Sequence, residues 1–197
     1  MRLKIANVGE AILRTKARAL SREEIQSTYI RDLIEHMRET LHDAPGVGLA
    51  APQIGIPLQL AVIEDKAEYH AALSGTELVE RERRPVPFHV LVNPHLQLLS
   101  PPDVFFFEGC LSLPGFTAVV PRARKVVVGA LNHKGEPVHI EAADWYARIL
   151  QHEIGHLQGT IYIDRMLTRS FSSLENYNRN WKAKTRQDLE REFSAPE

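Results

Sequence analysis

The chain has 197 residues, 44% of them hydrophobic and 25% charged, with a formal net charge of −1. That is enough chain for one domain with a proper hydrophobic core. Its Lys and Arg are spread out rather than gathered into the basic footprint that DNA-binding and membrane-surface proteins need. The longest apolar runs, 58–63 and 104–107, are far too short to span a bilayer. Residues 1–10 carry neither an apolar signal core nor a basic amphipathic transit stretch, so a cytoplasmic address is expected.

Ser21 followed by Glu24 makes a capping box, and Ile25, Tyr29, Leu33, Met37 and Leu41 come at four-residue steps. The pattern predicts one long amphipathic helix over 22–42, stopped by the turn Asp43-Ala44-Pro45-Gly46. Short β-like runs follow at 59–63, 90–92, 104–107, 118–120 and 125–130, separated by Pro, Gly and Asn, which reads as a mainly antiparallel set. Residues 132–135 have the composition of a hairpin turn. Residues 64–88 carry a Glu/Arg cluster and two prolines and read as an exposed excursion with a solvated charged face. A second helix is expected over 142–157, with Gly159 as its terminator. A third, polar almost all round, is expected over 173–193 on the outside. The fold class is α+β: antiparallel β-sheets surrounding a buried central helix, with an N-terminal and a C-terminal helix outside. We read 1–197 as a single domain, with a core over 8–166 and a helical extension over 172–193.

The chemistry concentrates in His152-Glu153-Ile154-Gly155-His156. Two histidines four apart lie on one helix face, so both imidazoles reach a single metal ion, while Glu153 reaches a metal-bound water without being a ligand. Trp145, Ile149, His152 and His156 are spaced by four, three and four, which puts both histidines on a bulky apolar stripe facing the interior. Buried imidazoles need a partner, and a metal supplies one. The third ligand is less obvious. A metzincin would have histidine where this chain has Tyr162, and Glu175, the thermolysin-like choice, sits where a capping role is the simpler account. The best candidate is Cys110, the only cysteine, in the glycine-bracketed loop after an apolar strand. His₂Cys with an open fourth position is the ligand set of a catalytic site. A further patch at 46–53, with Gly46 and Gly48, lets backbone approach a ligand closely, though a tight turn beside core packing explains it equally well.

Together, GVGLAAPQ at 46–53, EGCLS at 108–112 and QHEIGH at 151–156 closely resemble, in order and spacing, the three signature motifs of peptide deformylases, an iron-dependent HExxH metallohydrolase family. The resemblance runs from Val8 to Met166, and the blocks at 115–118 and 147–150 look closer to the organellar branch. It implies removal of the formyl group from N-formylmethionyl nascent chains, with Cys110, His152 and His156 as metal ligands and Glu153 as general acid/base. Gln53 and the Leu111 N–H correspond to the family's oxyanion donors, Gly48 to a backbone contact with substrate, and Val47, Phe106, Trp145 and Ile149 to the methionine pocket. The implied cofactor is one divalent ion per chain, Fe²⁺ first, with Zn²⁺, Ni²⁺ or Co²⁺ able to substitute. Contact with the ribosome near the exit tunnel through Arg179, Lys182, Lys184 and Arg186 is a further implication, against the simpler reading of a solvated helix. No direct DNA binding and no membrane association are expected. The sequence departs from the family at Gly155, where Asp is usual. Glycine inside a helix costs about 1 kcal/mol relative to Ala, and we expect the loss of a charge meant for Arg122 to weaken metal affinity or activity. The alternative is a zincin-like metallopeptidase, which has no use for the other two motifs; a non-enzymatic relative would not be expected to retain every reactive residue.

Overall fold

The computed structural model describes residues 1–193 apart from 45, 72 and 74. The Ser21 hydroxyl accepts from the Glu24 N–H while the Glu24 carboxylate accepts from the Ser21 N–H, and this capping box launches α1 (Arg22–Gln26). The single helix expected here is interrupted. Ser27 is extended (φ −68°, ψ 152°) and its hydroxyl accepts from the Ile30 N–H, so it starts α2 (Thr28–Asp43). The apolar stripe survives the break, since Ile25, Leu33, Met37 and Leu41 are all buried, whereas Tyr29 is exposed. Periodicity reports the buried face but not a serine that caps a new start. Pro45, part of the expected stop signal, lies outside the described residues.

In chain order there follow β1 (Gly48–Ala50), β2 (Leu60–Asp65), the short helices α3 (Ala67–His70) and α4 (Gly75–Glu80), β3 (Val86–Leu98), β4 (Val104–Cys110), β5 (Leu113–Arg122), β6 (Lys125–Leu131) and β7 (Pro137–Ala143). One sheet has the order β1-β2-β3-β6-β7, and a second is built on β4 and β5, all antiparallel. The expected hairpin turn joins β6 to β7. The strand β7 was not expected, and it displaces the start of the next helix, because Ala142 and Ala143 still pair with Val126 and Lys125.

That helix, α5 (Asp144–Leu157), is the central one. Ala147, Ile149, Leu150 and Ile154 pack with Ile63, Leu91, Val126 and Val128 of the larger sheet. It begins on Asp144, a non-glycine residue at φ +58°, a conformation costing of order 1–3 kcal/mol. Arg124 holds it there: Nε donates to Asp144 Oδ1 (2.7 Å), and the Arg124 carbonyl accepts from the Asp144 N–H (2.8 Å).

Two expectations about polar segments are corrected. The 64–88 excursion is not simply a solvated face, since Arg83 makes two 2.8 Å hydrogen bonds to the fully buried Asp65. The third helix is divided into α6 (Leu174–Asn180) and α7 (Arg186–Phe193), preceded by a two-residue strand, β8 (Ser172–Ser173), that pairs with β5. It also has an apolar side: Leu189 is buried with Phe107 and Val119, and Tyr177, Trp181 and Phe193 pack around them. Among the described residues no helix is long and apolar enough to cross a membrane.

Candidate active site

The end of β4 and one face of α5 bring three donors together. Cys110 Sγ and one nitrogen each of His152 and His156 lie within 4.8 Å of one another, with Sγ 3.3 Å from His156 Nε2. The i,i+4 spacing brings the imidazoles together edge to face (centroids 5.1 Å, 68°), and the strand register shifts between Glu108 and Cys110, a bulge of the kind that re-aims a side chain. The donor set suits a divalent transition metal, one thiol and two imidazoles. The surroundings fit as well. His152 Nδ1 is 3.0 Å from Glu108 Oε2, the carboxylate–histidine pairing typical of ligating histidines, which leaves Nε2 for the cluster. Burial, then the neighbouring His152 and Arg122, hold the His156 imidazole well below its usual pKa, in the neutral form that has a lone pair to give.

Glu108 is the hub beneath this cluster. It is buried, accepts two 2.9 Å hydrogen bonds from Arg122 and one of 2.6 Å from Arg148 Nη1, and orients His152. Burial alone would raise its pKa, but the Arg122 charge and hydrogen bonds, with His152 and Arg148, hold the carboxyl well below the usual range. Arg148 also donates to the carbonyls of Val104 (2.6 Å) and Val120 (2.8 Å), tying α5 to the second sheet. Arg122 thus spends Nε and Nη2 on Glu108. At Gly155, where the family usually has Asp, a Cβ would face Thr160 Oγ1 at 3.2 Å.

Glu153 is buried, and burial pushes its carboxyl up to about 7, near the value suited to moving protons at neutral pH. Gly48 makes room for it: a Cβ there would sit 2.6 Å from Glu153 Cγ. Gly48→Ala is therefore expected to displace Glu153 and lower turnover by roughly 100-fold, the scale of loss that a 1 Å misplacement can bring. Metal content should be unchanged. A variant with native turnover would show that Glu153 need not sit where it does.

Gln53 is fixed by its own turn. Its Oε1 accepts from the Ala50 N–H (2.8 Å), so Nε2 points at Cys110 Sγ (3.5 Å) and Ser112 Oγ (3.2 Å). A cleft of about 550 Å³ opens over these groups, lined among others by Val47, Gly48, Gln53, Leu111, Trp145 and Ile149. Phe106 stands apart from that lining. It packs edge-on against Trp145 (centroids 6.2 Å, 73°) and lines a smaller cavity of about 180 Å³. Tyr162 is buried with its ring 6.4 Å from that of His152, and Glu175 is exposed and paired with Arg179. Sequence reasoning missed Arg81 and Arg83, which lie 4.7 and 5.5 Å over the Trp145 ring. No spacing signal marked them within a charged run.

The sequence model of the polypeptide deformylase family matches residues 2–171. The chain belongs to this family. It is 44% identical over 172 residues to peptide deformylase 1A, chloroplastic, of Solanum lycopersicum, covering 87% of this chain and 62% of that protein. It thus spans less than two thirds of that relative's length. It is 42% identical over 183 residues to peptide deformylase 3 of Streptomyces avermitilis, covering 93% of this chain and 80% of the relative. Among solved structures it resembles the Met-Ala-Ser-bound class I type b peptide deformylase of Acinetobacter baumannii, with a TM-score of 0.74 and 31% identity over 84% of this chain and 99% of the other.

Proposed function

We propose that this deformylase-family chain hydrolyses the N-formyl group of peptides beginning with formyl-methionine, releasing formate and a free amino terminus. The observation that carries the reading is that Glu153, its carboxyl pKa raised by burial, lines one cleft together with Cys110 and His152, the two members of the Cys110–His152–His156 cluster that face it. In this reading the cleft takes the methionine side chain against Val47, Trp145 and Ile149, with Phe106 supporting Trp145. A bound Met-Ala-Ser in the Acinetobacter relative supports a peptide occupant of this kind.

Cys110, His152 and His156 would hold one divalent ion, Fe²⁺ by family likeness with Zn²⁺, Ni²⁺ or Co²⁺ able to replace it, and that ion would supply Lewis acidity toward water and the formyl carbonyl. Glu153 accepts the proton of the attacking water as its oxygen bonds to the formyl carbon. Gln53 Nε2 and the Leu111 N–H donate to the carbonyl oxygen as negative charge develops there, and Gly48 lies along the substrate backbone. Glu153 then returns its proton to the departing amine as the C–N bond breaks. A cytoplasmic address, where nascent chains are made, belongs to this reading. Ribosome contact is its weaker part, because Arg179 and Arg186 are paired with Glu175 and Glu190 of their own helices.

Formate release from formyl-Met-Ala-Ser by protein purified without oxygen, with elemental analysis of the same sample, tests the proposal. Turnover abolished by a chelator and restored by Fe²⁺ is expected. Cleavage of unformylated peptides with no formate from formylated ones would point to a peptidase instead. Cys110→Ala is expected to lose bound metal, from about one ion per chain to near none. Full metal retention in that variant would remove Cys110 from the ligand set.

A further inference from the structure

Residues 172–193 lie beyond the stretch matched to the family, yet they help to wall the cleft. Strand β8 pairs with β5, Ser173 with Phe116 and Ser172 with Thr117. That register brings Leu174 and Tyr177 to the same cleft that Cys110 and Glu153 line. Tyr177 is anchored from two sides, by the Phe107 ring at 4.9 Å and by Arg81, whose Nη2 donates to its hydroxyl (3.2 Å). The Arg186 N–H, at the start of α7, donates to the Glu80 carboxylate (3.1 Å), and Leu189 is buried, so the extension is fixed at both of its helices.

Three large apolar side chains nonetheless face water where this wall meets β5. Phe116 is 42% exposed, Phe171 44% and Leu174 44%. The two phenylalanine rings stack at 5.2 Å and 7°, and Phe116 and Leu174 both line the cleft. Apolar side chains grouped at the rim of a polar site mark a place where something apolar is bound. The patch is continuous with the cleft. A peptide anchored by its first residue at the cleft floor must lay its next residues outward along the rim, at roughly 3.3–3.6 Å per residue.

We propose that Phe116 and Leu174, with Phe171 supporting Phe116, form a subsite for an apolar side chain among the residues that directly follow the methionine. The C-terminal extension is thereby a specificity element of the enzyme. The inference rests on the deformylase reading and adds a substrate preference to it. Because the rim is already fixed by Arg81, Phe107 and Leu189, little ordering is required when a side chain settles on it.

The test compares formyl-Met-Ser-Ser-Ser with the same peptide carrying leucine at its second or its third position, using the full metal-loaded chain. Leucine at one of these positions is expected to raise kcat/KM by about tenfold, mainly through KM, as burial of much of an aliphatic side chain would give. In Leu174→Ser and Phe116→Ser, both replacements of exposed residues, the gap between leucine and serine peptides should shrink to about twofold. The subsite would be overturned by a native chain indifferent to leucine at both positions. It would equally be overturned if the gap persisted in both variants, or if both slowed the serine and leucine peptides alike. No formate from any of the three peptides would defeat the deformylase reading itself, and the subsite with it.

Discussion

Replacing Glu108 by alanine is expected to lower the unfolding free energy by about 3–5 kcal/mol, because it strands partners in the interior rather than merely deleting a contact. Arg122 loses both of its hydrogen bonds to the carboxylate, and Arg148 keeps only its carbonyl partners. Both guanidinium groups are nearly inaccessible to water. For a chain of this size the melting temperature should fall by roughly 6–20 °C. His152 simultaneously loses the carboxylate on its Nδ1, which typically weakens metal affinity or activity by about 10–100-fold. Thermal unfolding of the metal-free and metal-loaded forms separates the two effects: the first appears in both, the second only in the difference between them. An unchanged melting temperature in the metal-free form would show that the buried arginines find water or new partners, and that Glu108 is not the hub the geometry makes it.

Glu153→Gln should do the opposite, sparing the fold and removing the reaction. The amide is isosteric, burial at this position favours an uncharged group, and Gly48 still leaves room for it. Metal content and melting temperature are expected to stay at or above native values, while kcat falls by about 10²–10⁴-fold, the usual contribution of a positioned acid–base group. Because KM reports binding of a peptide that glutamine does not obstruct, it should move little. Loss of metal in this variant would mean that Glu153 belongs among the ligands.

Cys110, His152 and His156 could be picked out from the chain because helical spacing fixes two of them and the third is the sole cysteine. Trp145 and Ile149 followed from the same stripe, whereas Phe106, assigned by motif alone, turned out to stand behind Trp145. The interruption at Ser27 was hidden because a cap changes hydrogen bonding without disturbing the period of the buried face. The strand β7 was read partly as helix because a sequence window cannot see that Ala142 and Ala143 are still paired across the sheet. Least legible were groups whose meaning lies in distant partners. Arg148 reads as one more helix arginine until it meets Glu108, forty residues earlier. Arg81 and Arg83 read as solvated charge until Trp145 lies beneath them. Gly48 looks like any loop glycine until the Glu153 side chain occupies the space of its missing Cβ.

The left-handed start of α5 at Asp144 acts as a pivot for everything that α5 carries. His152 lies eight residues further on, about 12 Å along the axis at 1.5 Å per residue. A tilt of about 5° at the pivot would therefore swing that imidazole by about 1 Å, a displacement that costs on the order of 100-fold in rate. Arg124, half-exposed, is the clamp on that pivot, and its Nη2 is also held by Glu82 (2.8 Å) within the charged excursion. The first turn of α5 is thus aimed from the surface, while Arg148 and the buried face of the helix hold its middle.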